Sequence, residues 1–221
     1  MTIDIGLYAI VDPQIARGRS LADLAVAAAR AGATIIQYRA KDASTREMID
    51  VTLTILAALA PTGVPLLVND RVDVALATGA HGVHLGREDM DIASARRLLG
   101  PTAVIGATIK SEADILSLVG AGIDYGCIGG VLATSHKWNA DPPLGLAGYA
   151  ALRALARRHL GVCPIGAIAG IDIAHLPALF AAGADGVAVI GAIFNGNNVD
   201  ANTRDLRMAV DAARRSHEVA K

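Results

Sequence analysis

Val74-Ala75-Leu76-Ala77-Thr78-Gly79-Ala80-His81-Gly82-Val83-His84-Leu85 is an alanine- and leucine-rich run that stops at a glycine and restarts as a short apolar run. A glycine just past a helix supplies the left-handed cap, so the stretch reads as a helix end feeding a strand. The same grammar recurs at Ala31-Gly32-Ala33, Ala121-Gly122-Ile123 and Ala182-Gly183-Ala184. The strands that follow these four triplets are predicted at 34–39, 81–85, 124–128 and 186–190. Further apolar runs at 6–11, 65–68, 103–106 and 163–168 bring the expected strands to eight. Ser20-x-x-Asp23, Ser44-x-x-Glu47 and Ser111-x-x-Asp114 mark helix starts, each with an acid three residues after a hydroxyl.

Short, nearly all-apolar strands alternating with helices imply a parallel sheet covered on both faces. Eight such units close most economically into a single (β/α)8 TIM barrel spanning 1–221, with no room for a second domain. An open doubly wound sheet is the alternative. Its phosphate signature, G-x-G-x-x-G after the first strand, is missing, because Val11-Asp12-Pro13 stands there.

Charge balance narrows the function. With 20 Lys+Arg against 21 Asp+Glu the formal charge is -1, without the clustered basic excess that phosphate contacts to nucleic acid require. One Trp, 4 Tyr and 2 Phe are too few for a base-stacking platform. The stretch 51–69 carries no charge, but Pro61, Gly63 and Pro65 interrupt it, so it reads as helix, turn and strand rather than a membrane span. Cys127 and Cys163 lack metal-ligand spacing and are expected to be buried thiols in a reducing compartment. An acid near the start, where a signal peptide carries Lys or Arg, points to a cytoplasmic location.

In such barrels the functional groups sit at the carboxyl ends of the strands. Strand alternation puts Gln37, Arg39 and Lys41 on one face, aimed into the mouth, with Ala40 facing away. Two cations and an amide there suit a multiply charged anion. Asn69-Asp70 follows the third strand and Gly86-Arg87-Glu88-Asp89 the fourth. Asn69 and Asp70 are suited to capping the helix after them. Neighbouring strands are about 4.8 Å apart, however, so Asp70 and Asp89 can also share one ion. Two carboxylates beside an anion site repel it unless a divalent metal intervenes, and Mg²⁺ takes this sparse oxygen set. Zinc fits less well, since no Cys or His stands at ligand spacing. Thr108 and Lys110 end the fifth strand, and Ser111 reads as a helix cap. The long segment 129–148 carries Thr134-Ser135-His136-Lys137, a run that can hold phosphate oxygens. Gly170, Ile190 and Gly191 lie in glycine-rich turns after the last two strands, where barrels bind phosphate through backbone amides. His81 and His84 are expected to pack in the barrel wall, and no Ser-His or Cys-His pair is expected at the mouth. These residues by themselves describe an enzyme or binder of phosphorylated small molecules.

The residues 67–77 (Leu67-Val68-Asn69-Asp70-Arg71-Val72-Asp73 onward) and 82–90 (Gly82-Val83-His84-Leu85-Gly86-Arg87-Glu88-Asp89-Met90) closely resemble the thiamine-phosphate synthase family. So do Gln37-Tyr38-Arg39-Ala40-Lys41, Pro142-Pro143-Leu144-Gly145 and Ala182-Gly183-Ala184-Asp185-Gly186-Val187, and the likeness runs from about 7 to 193. The resemblance implies a transferase that joins a hydroxymethylpyrimidine diphosphate to a hydroxyethylthiazole phosphate, releasing diphosphate by a dissociative route without a protein nucleophile. It implies that Gln37, Arg39, Lys41, Asn69, Thr108 and Lys137 hold the pyrimidine diphosphate, with Arg39, Lys41, Lys137 and Thr108 doing the chemistry. Asp70 and Asp89 would hold Mg²⁺, and Thr134, Ser135, His136, Gly170, Ile190 and Gly191 the thiazole phosphate. Ala40 stands where an acid is common, Thr108 for a usual Ser, His136 for a usual Thr and Gly191 for a usual Ser. The alternatives are a thiazole tautomerase, whose catalytic His is replaced here by Ile109, and a non-catalytic phosphometabolite-binding paralogue. Expected partners are small phosphorylated substrates, with no nucleic acid or membrane, and a homo-oligomer is compatible with the sequence.

Overall fold

A computed structural model describes residues 3–133 and 142–219 of the chain. Eight parallel strands close into a barrel in sequence order, with β1 pairing both β2 and β8. They are β1 (Leu7–Val11), β2 (Ile35–Tyr38), β3 (Leu66–Asn69), β4 (Gly82–Leu85), β5 (Val104–Ile109), β6 (Tyr125–Ile128), β7 (Ile165–Ile168) and β8 (Gly186–Val189). The helices outside are α1 (Pro13–Ala16), α2 (Leu21–Arg30), α3 (Thr45–Leu59), α4 (Val72–Thr78), α5 (Ile92–Leu99), α6 (Glu112–Ser117), α7 (Gly145–Leu160), α8 (Leu176–Ala181), α9 (Gly191–Phe194) and α10 (Val199–Val219). The fold is the expected TIM barrel.

Most strand limits fall within two residues of those expected. The clearest difference is β5, which continues past Gly106 to Ile109 because Thr108 and Ile109 keep pairing with Cys127 and Ile128. Ser20 and Ser44 accept the amides of Asp23 and Glu47, and Ser111 completes the reciprocal capping box with Asp114. No helix of the described residues is long and apolar enough to cross a membrane.

Alternation along each strand divides the core in two. Val68, Val83, Ile105 and Ile128 face the helices and pack into the larger cluster. Ile10, Ile35, Leu67, Tyr8 and Tyr125 fill the barrel interior. Each fully buried Leu or Ile contributes about 1.5–3 kcal/mol, so these two layers carry most of the fold's stability. Cys127 is buried and Cys163 half-buried, and both are free thiols. Burial raises the Cys127 thiol to about 12 and the Cys163 thiol to about 11, so both stay protonated.

The glycine triplets have a structural counterpart at the amino-terminal rim. The residue two places after each of the four glycines donates its amide to the carbonyl of the preceding odd-numbered strand or its lead-in: Thr34 to Leu7, His81 to Leu66, Asp124 to Ile105 and Asp185 to Ile165. The side chain of the same residue accepts the amide of the same partner, through Thr34 Oγ1, His81 Nδ1, Asp124 Oδ2 and Asp185 Oδ2. Each glycine therefore positions a two-pronged clamp that closes one quarter of the barrel. Arg96 and Arg153 pair with the two aspartates from α5 and α7.

Candidate active site

At the opposite rim the strand ends carry charge. Asp70 follows β3 in a left-handed backbone conformation, φ 63°, which Asp tolerates better than most side chains. Its amide donates to His84 O at 2.9 Å. Arg71 occupies the N-cap of α4 and no side chain caps it, so neither Asn69 nor Asp70 serves that helix. The Asp70 carboxylate instead pairs with Lys41 Nζ and is hydrogen-bonded to Asp89. Asp89 Oδ2 in turn accepts the Gly86 amide at 2.6 Å. Burial works against the Asp70 carboxylate, but hydrogen bonds from Asp89 and Lys41 outweigh it and hold its carboxyl below the usual range. Burial and the facing Asp70 push Asp89 the other way. The two carboxyls behave as a like-charge pair one counter-charge short of balance.

Beside this pair opens a cleft of about 400 Å³ lined by Gln37, Arg39, Asn69, His84, Thr108 and Lys110 on one side. Ala40 packs into the outer cluster, away from the mouth. Lys41 lies past the end of β2 and reaches the cleft edge through Asp70 rather than lining the cleft itself. The Arg39 guanidinium pairs with Asp12, whose carboxylate is 5% exposed and also caps α1 by accepting the Gln14 amide. An arginine so held presents its remaining donors in one orientation.

The far side of the cleft is backbone. Ala169 (φ 90°) and Gly170 (φ 68°) follow β7, and Ile190 and Gly191 open α9, whose first amides precede any intrahelical acceptor. A side chain at Gly170 would meet Ala133 O at 2.4 Å, so the turn after β7 abuts the segment leaving β6 only because residue 170 is bare. Of the expected site residues, Thr134, Ser135, His136 and Lys137 lie outside the described residues.

Reading the strands one at a time misses several cleft groups. His84 is 6% exposed, as a packed wall residue should be, yet it lines the cleft, and its Nε2 lies 3.0 Å from Thr108 Oγ1. The expectation named Ser-His and Cys-His pairs, and this threonine–imidazole contact is neither. The second ring nitrogen meets the Tyr125 phenol at 3.0 Å rather than the carboxylate of a nucleophile-activating triad. Tyr8, Asp12, Tyr125 and Asn195 also belong to the cleft or its support. Only Asp12, an acid directly after a strand and before a proline, carried a readable signal.

The donor set is selective for a metal. Among the described residues no three His, Cys, Asp or Glu side chains gather into a cage. Two carboxylates from adjacent strand ends, one of them held above the usual range by burial and by the other, suit a hard cation that keeps waters and takes further oxygens from a substrate. Mg²⁺ fits that description, and a structural zinc does not.

Comparison with known proteins agrees with the residue-level reading. The profile of a family described as thiamine monophosphate synthase matches residues 7–193. The chain is similar to the thiamine-phosphate synthase of Agrobacterium fabrum, 52% identical over 216 residues that cover 98% of each chain. It is similar to that of Chloroflexus aurantiacus at 43% over 208 residues, 94% of each. Its fold superposes on the thiamine phosphate pyrophosphorylase of Pyrococcus furiosus with a TM-score of 0.81 and 33% identity, covering 96% of this chain and 98% of the other.

Proposed function

The chain belongs to the thiamine monophosphate synthase family, and from that premise we propose how its cleft makes thiamine phosphate. It condenses 4-amino-2-methyl-5-hydroxymethylpyrimidine diphosphate with 4-methyl-5-(2-phosphoethyl)thiazole and releases diphosphate. The observation that carries the assignment of roles is the facing Asp70–Asp89 carboxyl pair, with Asp70 next in the chain to Asn69, which lines one cleft together with Arg39, Gln37 and Thr108. Asp70 and Asp89 hold Mg²⁺, which when bound neutralises charge on the diphosphate. Gln37, Asn69 and Thr108 hold the pyrimidine, while Arg39, Lys41 and Lys137 take the diphosphate oxygens. Thr134, Ser135, His136, Gly170, Ile190 and Gly191 take the thiazole phosphate.

The chemistry needs charge stabilisation and placement more than a nucleophile. The methylene C–O bond breaks with its electron pair leaving on the diphosphate, which the cations receive. The resulting pyrimidine-methylene cation is captured by the thiazole nitrogen lone pair. Arg39, fixed by Asp12, meets the charge where it develops, and holding both substrates in one cleft removes the entropic cost of their encounter. Against the tautomerase alternative, Ile109 is fully buried in the outer cluster and offers no proton-transfer group.

The test is purified protein with both substrates and Mg²⁺, product being oxidised to fluorescent thiochrome. Thiamine phosphate is expected, in a Mg²⁺-dependent amount. Bound substrates without product would overturn the proposal.

A further inference from the structure

A hydrogen-bonded chain crosses the barrel beneath the cleft. The Tyr8 hydroxyl donates to Gln37 Oε1 at 3.0 Å, and its oxygen lies 2.9 Å from the Tyr125 hydroxyl. Tyr125 is 3.0 Å from His84 Nδ1, and His84 Nε2 is 3.0 Å from Thr108 Oγ1. A phenol has one proton, and that of Tyr8 is committed to Gln37, so Tyr125 is the donor between the two tyrosines. The Tyr125 oxygen is then left as acceptor, which places the imidazole proton on His84 Nδ1. Nε2, 3.0 Å from Thr108 Oγ1, closes the chain, and a ring whose one proton sits on Nδ1 accepts there from the Thr108 hydroxyl. Burial pushes both phenols well above the usual tyrosine value, so neither loses its proton. Space for the chain is built in: Gly106 is the register partner of Tyr125, and a Cβ there would lie 2.0 Å from the Tyr125 ring.

We propose that Tyr8 and Tyr125 are positioning residues that decide which hydrogen-bonding face Gln37 and Thr108 turn toward the substrate. With Gln37 Oε1 and the Thr108 proton engaged below, the cleft receives the Gln37 amide N–H groups and the Thr108 oxygen lone pairs. One end donates and the other accepts. An aminopyrimidine offers the complements, ring-nitrogen acceptors and an amino donor, whereas a 4-oxo ring exchanges them. Reversing the chain would invert both ends together, so discrimination at the two ends is coupled. The inference deepens the synthase reading and rests on it.

The decisive measurements are kcat/KM for the aminopyrimidine diphosphate and its 4-oxo analogue, with the His84 ring nitrogens observed by ¹⁵N NMR. Wild type, Tyr125→Phe and Tyr8→Phe are compared, and His84 is assigned by loss of its signals in His84→Gln. Phenylalanine cannot accept the Nδ1 proton, so Tyr125→Phe frees the ring to adopt the other tautomer. The amino-over-oxo preference is expected to fall about tenfold, the worth of one buried hydrogen bond. The fall should appear in the KM for the pyrimidine, with the KM for the thiazole phosphate unchanged. Tyr8→Phe, which removes the group that orients Tyr125, should shift the tautomer and the preference the same way by a smaller factor. A merely structural tyrosine would slow both analogues alike. An unchanged preference in either folded variant, or a wild-type His84 carrying its proton on Nε2, would overturn the proposal. The NMR arm needs no turnover, so a wild type that makes no thiamine phosphate sinks the functional reading and leaves the relay to be judged separately.

Discussion

Aspartates at the two rims of this barrel do opposite work. At the amino-terminal rim Asp124 and Asp185 each take a strand amide and an arginine, and Asp4 takes the Gly6 amide and Arg214. At the carboxyl rim Asp70 and Asp89 face each other, with Lys41 paired to Asp70. One rim satisfies its carboxylates and gains cohesion. The other leaves two carboxyls facing each other, one shifted below and one above the usual range, which is where the proposed Mg²⁺ would bind.

Substitutions break this contrast in graded steps. The largest effect is expected from Asp89→Asn, which should lower kcat/KM by roughly 10²–10³-fold while leaving the melting temperature unchanged or raised, because the facing charge is gone. Thiochrome kinetics and a thermal melt on the same sample check it. Next comes Asp185→Ala at the opposite rim, which strands the Ile165 amide and takes the carboxylate from the Arg153 guanidinium, whose side chain is 8% exposed and whose Nε still donates to Gly183 O. It should cost roughly 2–4 kcal/mol in urea unfolding with kcat intact. Asp12→Asn keeps a helix cap but weakens the hold on Arg39; the KM for the pyrimidine diphosphate should rise about tenfold with little change in unfolding.

The smallest effect sharpens the comparison through pH. Burial opposes the Asp4 carboxylate, but the Gly6 amide and Arg214 outweigh it and lower its carboxyl below 3.8. A lowered folded value means stability present above the unfolded value and lost as the solution is acidified through the folded one. Asp4→Asn should therefore flatten the acid limb of the stability curve below about pH 4 and leave pH 7 turnover untouched, as paired acid titrations of both proteins would reveal.

How much of this was legible follows from sequence distance. Gly79 and its three counterparts announced helix ends, because a left-handed cap is a local requirement. That His81 and Asp124 would clamp the neighbouring strand was not legible, since neither type shares a chemical signature with Thr34. Asp70 and Asp89, which follow adjacent strands, could be brought together by strand spacing alone. Tyr8 and Tyr125 are 117 residues apart and look like ordinary core aromatics; only barrel closure makes them neighbours. His84 was legible as a wall residue, but its second function depends on the direction of a hydrogen bond, which no residue pattern encodes.

The backbone at Asp70 restricts what evolution can try there. A left-handed φ of 63° is readily borne by glycine, asparagine and aspartate, and poorly by glutamate or any branched residue. Of those three, only aspartate brings a negative charge. Drift at residue 70 thus has two conformationally open exits, both electrically neutral, so a lineage that leaves aspartate surrenders the charge, and with it the proposed ion, before it disturbs the fold.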